Sequence, residues 1–321
     1  MKKVLLMSLC FLCAVTAFTN DRESENEKTK WFIGPSVGVS WGEFGEYLYD
    51  SSDTYVCSKL LWEAKPLYNV GLSAGVERGK FLFEISQDFS LPLSCGKMYD
   101  SDWNKDGVKH TYSIFENNDN QFAFNTSITS QYKINISKYF FLKPLLQFEY
   151  RYNHFEAKNG FGYFGNKNFT NLENDIHWYD EKSLKAKVSK IEYVNHLFNA
   201  SLGLNFVYKI QKHELNTIFF ISPFTYIYTV DNHKDDKNLN RDFSNKMFQY
   251  GFLKNFKFII NYFYVINEKI KINSNFSIDY LQMTKGVTYT NNINYQWRKT
   301  NQKSGCDFQE FKISIGLLFY K

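Results

Sequence analysis

The sequence predicts an all-β chain that closes into a ten-stranded antiparallel transmembrane β-barrel with long extracellular loops, and three observations predict it. Apolar and polar residues alternate with a period of two along nearly the whole chain. The links between the alternating runs are short and long by turns. Beyond the first residues, no segment supplies the roughly 20 uninterrupted apolar residues of a membrane helix. Composition agrees: 32 Phe and 23 Tyr against 5 Pro suit strands with one greasy and one wet face better than a buried helical core. A soluble β-sandwich would also alternate, but its strands run about 5 to 6 residues, shorter than the runs found here.

The first element is an address. Lys2 and Lys3 precede the apolar run Val4 to Ala14, and Val15-Thr16-Ala17 offers small residues for cleavage, so residues 1–17 read as a signal peptide and 18–321 as a single barrel domain. The formal charge is +5, and loss of Lys2 and Lys3 leaves +3, a balance that argues against nucleic-acid binding. Cys57, Cys95 and Cys306 remain in an oxidising compartment. Three cysteines cannot pair completely, and no function is expected of them. A loop disulfide among them stays open.

The ten strands follow in order: Trp31 to Trp41, Leu60 to Val76, Phe81 to Leu93, Gln121 to Ile136, Leu142 to Tyr152, Glu192 to Ile210, Leu215 to Val230, Phe248 to Ile266, Ile270 to Tyr280 and Phe311 to Phe319. From Leu60 the even positions are apolar through Val76, and between Gln121 and Ile136 the odd ones are mainly Asn, Ser, Thr, Gln and Lys. Short links at 77–80, 137–138, 211–214 and 267–269 contrast with long polar ones near 42–57, 98–118, 161–188, 231–243 and 290–307. An even strand count puts both termini on the periplasmic side. Inward residues such as Glu149, Arg151, Glu192 and Lys209 are expected to fill the narrow lumen with ion pairs, which disfavours a pore.

Two motifs at strand tops carry candidate chemistry. Tyr99-Asp100-Ser101-Asp102-Trp103 follows the third strand, and Asp231-Asn232-His233 ends the seventh. Spacing by two puts both members of each pair on one face. On the third strand the polar inward positions Glu84, Ser86, Asp88 and Ser90 are even, as are Asp100 and Asp102 if no bulge intervenes. On the seventh, Phe220, Phe224, Tyr226 and Tyr228 are expected to point outward, so Asp231 and His233 point inward. Four groups so placed suit hydrolysis without a covalent intermediate. Asp231 would orient His233, neutral His233 would take a proton from water, and Asp100 with Asp102 would hold that water from the far side. Neighbouring carboxylates raise each other's pKa, so one can keep a proton and stabilise an oxyanion. Asp175-Ile176-His177 repeats the spacing in a loop, with no strand to fix its direction.

The ten-strand layout, the Asp-Xaa-Asp-Trp at Asp100 to Trp103 and the Asp-Xaa-His at Asp231 to His233 together resemble the omptins, outer-membrane proteases of Gram-negative bacteria, over essentially the whole mature chain. Glu46-Tyr47-Leu48-Tyr49 adds to the likeness, because the family carries an acidic residue near its substrate pocket there. The resemblance implies an aspartate and histidine endopeptidase in the bacterial outer membrane, its groove facing the cell exterior, acting on polypeptides and dependent on lipopolysaccharide. It implies catalytic positions at Asp100, Asp102, Asp231 and His233, and substrate-binding positions at Glu46, Ser113 and Thr229. Well-known omptins cut between basic residues using acidic pocket groups. Here two of those positions are Thr229 and Ser113 and only Glu46 is acidic, so a weaker or altered preference for a basic residue before the cut is expected.

No second His stands at ligand spacing from His233, so no metal is expected, nor a Ser nucleophile or any bound cofactor. A monomer is expected. The alternative reading is a catalytically silent barrel acting as an adhesin or ligand-binding surface protein.

Overall fold

A computed structural model describes residues 29–105, 107, 109–164, 184–234, 243–291 and 296–321. The proposed leader, the Asp175-Ile176-His177 motif and the tips of three long loops lie outside the described residues.

Fourteen strand segments form one antiparallel sheet: β1 Lys30–Tyr49, β2 Val56–Arg78, β3 Phe81–Ser90, β4 Met98–Trp103, β5 Lys109–Phe115, β6 Asn117–Tyr132, β7 Ile134–Asn135, β8 Phe140–Phe164, β9 Leu184–Ile210, β10 His213–Lys234, β11 Phe243–Gly251, β12 Asn255–Asn267, β13 Ile270–Asn291 and β14 Arg298–Tyr320. They make ten staves, because β3 continues into β4, β5 into β6 and on into β7, and β11 into β12, the segments of each stave sharing a neighbour. β1 pairs with both β2 and β14, which closes the ring. Trp31 N–H donates to the Lys321 carbonyl at 3.0 Å, so both ends of the described chain meet at one rim. The short links stand at that rim, and Gly79 adopts φ 60° in the tight turn from β2 to β3.

Much of what the sequence assigned to long loops is strand. β1 runs to Tyr49, β4 and β5 form a hairpin within 98–118, and β8 and β9 reach 25 and 27 residues. The outer segments alternate less cleanly because they leave the lipid: where both faces meet water or protein, sequence no longer needs a greasy side. The outward apolar belt includes Val37, Val70, Leu72, Ile85, Phe148 and Ile315, the face a transmembrane barrel presents to lipid. Its upper edge is a band of packed rings, with Tyr150 stacked 4.6 Å from Phe198 and Tyr152 edge-on 5.0 Å from His196. Two pleats higher the outer face turns ionic, with Glu156 paired to Lys158 and Lys190, and Lys190 to Glu192 at 2.6 Å. Glu192 therefore lies outside the barrel, not in the lumen where the sequence put it, and Lys209 is exposed near the short-turn rim. Glu149 and Arg151 do fill the lumen.

Two register shifts carry the faces. β2 has one extra residue against β1 around Lys65-Pro66, so even positions 68–72 face lipid while Leu60, Trp62 and Ala64 face inward. The apolar even positions thus belong to two faces, where the sequence read one. β10 bulges at Ser222-Pro223, between Ile221 and Phe224. Phe220, expected outward, consequently points into the lumen beside Leu145 and Ile218. Proline lacks an N–H for the ladder, so both bulges fall where a lost bond is tolerated.

The lumen is filled in two layers. Arg151 contacts Asp279 at 2.7 Å and Glu310 at 3.0 Å, and Lys257 contacts Glu149 at 2.9 Å. Above them Phe308 takes the Arg151 guanidinium on its face at 4.8 Å and joins Phe44, Phe155, Trp62 and Tyr193 in a plug. A polar cavity of about 280 Å³ lies against the ionic layer, with Arg151, Lys257, Asp279 and Glu310 in its wall, and reaches Glu77 and Tyr320 toward the short-turn rim. Arg151→Leu should destabilise the barrel by about 3 to 5 kcal/mol, because it leaves buried carboxylates uncompensated. A lower midpoint of heat-induced mobility shift on gels checks this, and an unchanged midpoint would show the ion cluster to be dispensable.

Candidate active site

Above the plug, the register brings the chosen residues to one interior level. Glu46 on β1 stands opposite Leu60 on β2, Leu60 opposite Asp100 on β4, and Asp100 opposite Ser113 on β5. Residues opposite one another share a face. Leu60 is buried in the lumen cluster, so Asp100 and Ser113 point inward with it. Bulges do intervene on the third stave. Six residue steps from Gly38 to Phe44 match seven from Asn69 to Trp62 and eight from Ser90 to Met98. Two extra residues restore parity, which is why the even positions stay inward.

Across the mouth, β10 turns Thr229, Asp231 and His233 inward after its Pro223 bulge. Thr229 and Asp231 are buried, and His233 keeps part of its ring accessible. His233 Nε2 and Asp231 Oδ2 lie 2.7 Å apart, and the two-residue spacing on one strand face allows this contact. The floor is Tyr193 and Trp62, stacked 5.4 Å apart at 16°, with Asn195 donating to the Tyr193 hydroxyl at 3.1 Å. Sequence reading missed this floor, because its members sit on strands whose alternation gave no reason to single them out. Cys306, facing the Tyr193 hydroxyl at 3.7 Å, is free, as are Cys57 and Cys95, so no disulfide forms among the three.

Electrostatics couple the two sides of the mouth. Burial raises the Asp100 carboxyl to about 8, and the charge of Asp102 adds to the rise while His233 opposes it. Burial disfavours the charged His233 ring, but Asp231, with help from Asp100 and Asp102, more than compensates, and its pKa lies above 6.5. Glu46 is held well above the carboxylate range by burial, then by Asp231 and Asp100. Asp100 therefore keeps a proton at neutral pH, through burial first and the Asp102 charge second. Among the described residues, no group of three or more His, Cys, Asp or Glu is arranged to hold a metal ion.

The family model of the omptin family matches residues 27–320. The chain belongs to the omptin family. The crystal structure of the outer membrane protease OmpT from Escherichia coli superimposes with a TM-score of 0.80 at 16% identity, over 93% of this chain and 99% of that one. The translocator domain of the autotransporter NalP from Neisseria meningitidis reaches only 0.34 at 7% identity, over 98% and 95% of the two chains, and carries no further argument. No curated protein matches. In this omptin the seven positions chosen from sequence, Glu46, Asp100, Asp102, Ser113, Thr229, Asp231 and His233, all fall on strands around the outer end of the lumen rather than in loops.

The shared field makes a test independent of any activity. Asp102→Asn removes a charge that raises both neighbours, so the His233 and Asp100 titrations should both move to lower pH. NMR titration of the labelled His233 ring in micelles reads this directly; an unmoved curve would place Asp102 out of reach.

Proposed function

We propose that this omptin is an outer-membrane endopeptidase that hydrolyses peptide bonds with an activated water at the extracellular mouth of the barrel. The observation that carries the reading is the Asp231–His233 contact of 2.7 Å aimed at the same space as the raised Asp100 carboxyl. Family membership and the OmpT-like barrel support it. The site stands level with the outer ionic band, above the aromatic girdle, where a polypeptide in water can reach it.

The chemistry follows from the two pairs. His233 donates Nε2–H to Asp231, so in this ring orientation Nδ1 is the base. It takes a proton from water as the oxygen attacks the scissile carbonyl carbon. Asp231 stabilises the imidazolium that forms. Protonated Asp100, beside Asp102, donates to the developing oxyanion. The imidazolium then gives its proton to the leaving nitrogen as the C–N bond breaks, which restores neutral His233. Lipopolysaccharide belongs to this proposal as an activating surface ligand, and polypeptides as the substrates of a monomer.

The sign of the pH dependence is fixed by the two shifts. His233 must be neutral, so activity rises as pH passes a value above 6.5. Asp100 must be protonated, so activity falls as pH passes about 8. Refolded protein with lipopolysaccharide, assayed on a mixed peptide library, should give this bell in kcat/KM. His233→Ala and Asp231→Asn should each lower the rate by about 10² to 10⁴-fold. Full activity in either variant would remove the proposed base, and absence of cleavage by the unaltered protein would leave a surface-binding barrel as the reading.

A further inference from the structure

Gln249 lies on the inward face of β11, fully buried, and neither its Oε1 nor its Nε2 has a hydrogen-bond partner. Such a side chain is costly unless something supplies both a donor and an acceptor. It is not alone. Thr229 Oγ1, Thr288 Oγ1 and Glu46 Oε2 are also buried and unpartnered.

The register joins these four into one wall. Met247 is opposite Thr229 on β10 and Thr288 on β13, and Gln249 sits one pleat away, opposite Ile227 and Gly286. Gly286 in turn is opposite Ser304, two residues from Cys306, which is opposite Glu46. Gly286 puts no side chain between Gln249 and β14, and none fits: a Cβ there would meet the Phe248 carbonyl oxygen at 1.8 Å. The wall begins directly below Asp231, two residues along β10 at Thr229.

Chemistry separates the occupants of such a wall. Lys and Arg side chains are donors only, so they satisfy Glu46, the hydroxyls and Gln249 Oε1 but leave Gln249 Nε2 without an acceptor. A carboxamide has both a carbonyl and an NH₂ and forms a paired set of bonds with the Gln249 amide. Glu46, whose carboxyl is held well above the carboxylate range by burial and then by Asp231 and Asp100, is a poor counter-ion for a cation and can hydrogen-bond a carboxamide.

We propose that Gln249 is the specificity-determining residue of a side-chain subsite beside the scissile bond, and that this subsite takes an uncharged carboxamide side chain, Gln or Asn. The assignment rests on the endopeptidase reading for its part in cleavage, but the recognition itself does not need turnover.

The experiment uses both. Fluorescently labelled hexapeptides differing only in a central Gln, Asn, Leu, Arg or Lys are titrated by anisotropy against full-length His233→Ala barrel refolded with lipopolysaccharide. The same peptides are assayed for cleavage with the unaltered protein. The Gln or Asn peptide should bind more than about tenfold tighter than the Arg peptide. Gln249→Leu should erase that advantage, and Gln249→Glu, of nearly the same shape, should reverse it toward Lys and Arg. Heat-modifiable gel mobility reports that each variant is folded. Equal or tighter binding of the Arg peptide, no binding of any peptide, or an order unchanged by both substitutions would overturn the assignment. Selective binding without cleavage would instead sink the endopeptidase reading and keep the subsite. Cleavage after Arg or Lys would do the reverse.

Discussion

Everything in this molecule depends on one pairing: β1 with β2 on one side and with β14 on the other. Hydrocarbon offers no partner for a backbone N–H or carbonyl, so a sheet facing lipid must have no edge. Closure meets that demand and imposes the rest. Each strand acquires a lipid face and a lumen face, the termini meet at one rim, and whatever happens chemically must happen at the ends or inside.

Closure also creates a problem that the interior solves. A ring of ten staves encloses a narrow space whose walls are polar below and apolar above. The Arg151, Asp279, Glu310, Glu149 and Lys257 cluster satisfies its own charges there, and Phe308 covers it. The aromatic plug built on Trp62 then separates this ionic layer from the mouth. Because that floor is apolar, the carboxyls above it lose solvation on one side. The proton on Asp100 is a consequence of the plug as much as of its neighbours' charges, whereas the His233 titration rises in spite of burial, through Asp231, Asp100 and Asp102.

Alternation made the barrel legible, since lipid contact forces a strict two-residue period on every spanning strand. It also placed Asp100, Asp102, Asp231 and His233 correctly, although through reasoning that held for different causes on the two sides. On β10 the parity of Tyr226 and Tyr228 was a true local guide, while Phe220, below the Pro223 bulge, was a false one. On the third stave two extra residues cancelled. Bulges are set by pairing with a neighbouring strand, so a single strand read alone cannot reveal them. The same limit hid Trp62, Tyr193 and Gln249: each occupies an ordinary strand position, and only its neighbours across the lumen make it part of a site. The outer halves of the staves were read as loops because nothing there compels one face to be greasy.

Thr229, where the resemblance implies an acidic pocket residue, fits this electrostatic setting. The mouth already gathers Glu46, Asp100, Asp102 and Asp231 around a single imidazole, over a floor that solvates none of them. A further buried carboxylate would raise its neighbours again and hold His233 charged to still higher pH, which works against the proposed role of His233 as a neutral base. An acidic pocket tolerates that load only when a cationic substrate neutralises it. In the proposed reading, a wall in which hydroxyls and one carboxamide join Glu46 adds no further charge and leaves the His233 titration governed by Asp231 and the Asp pair. The identity of residue 229 and the side chain the wall would accept are then linked through the proton on His233, not through direct contact alone.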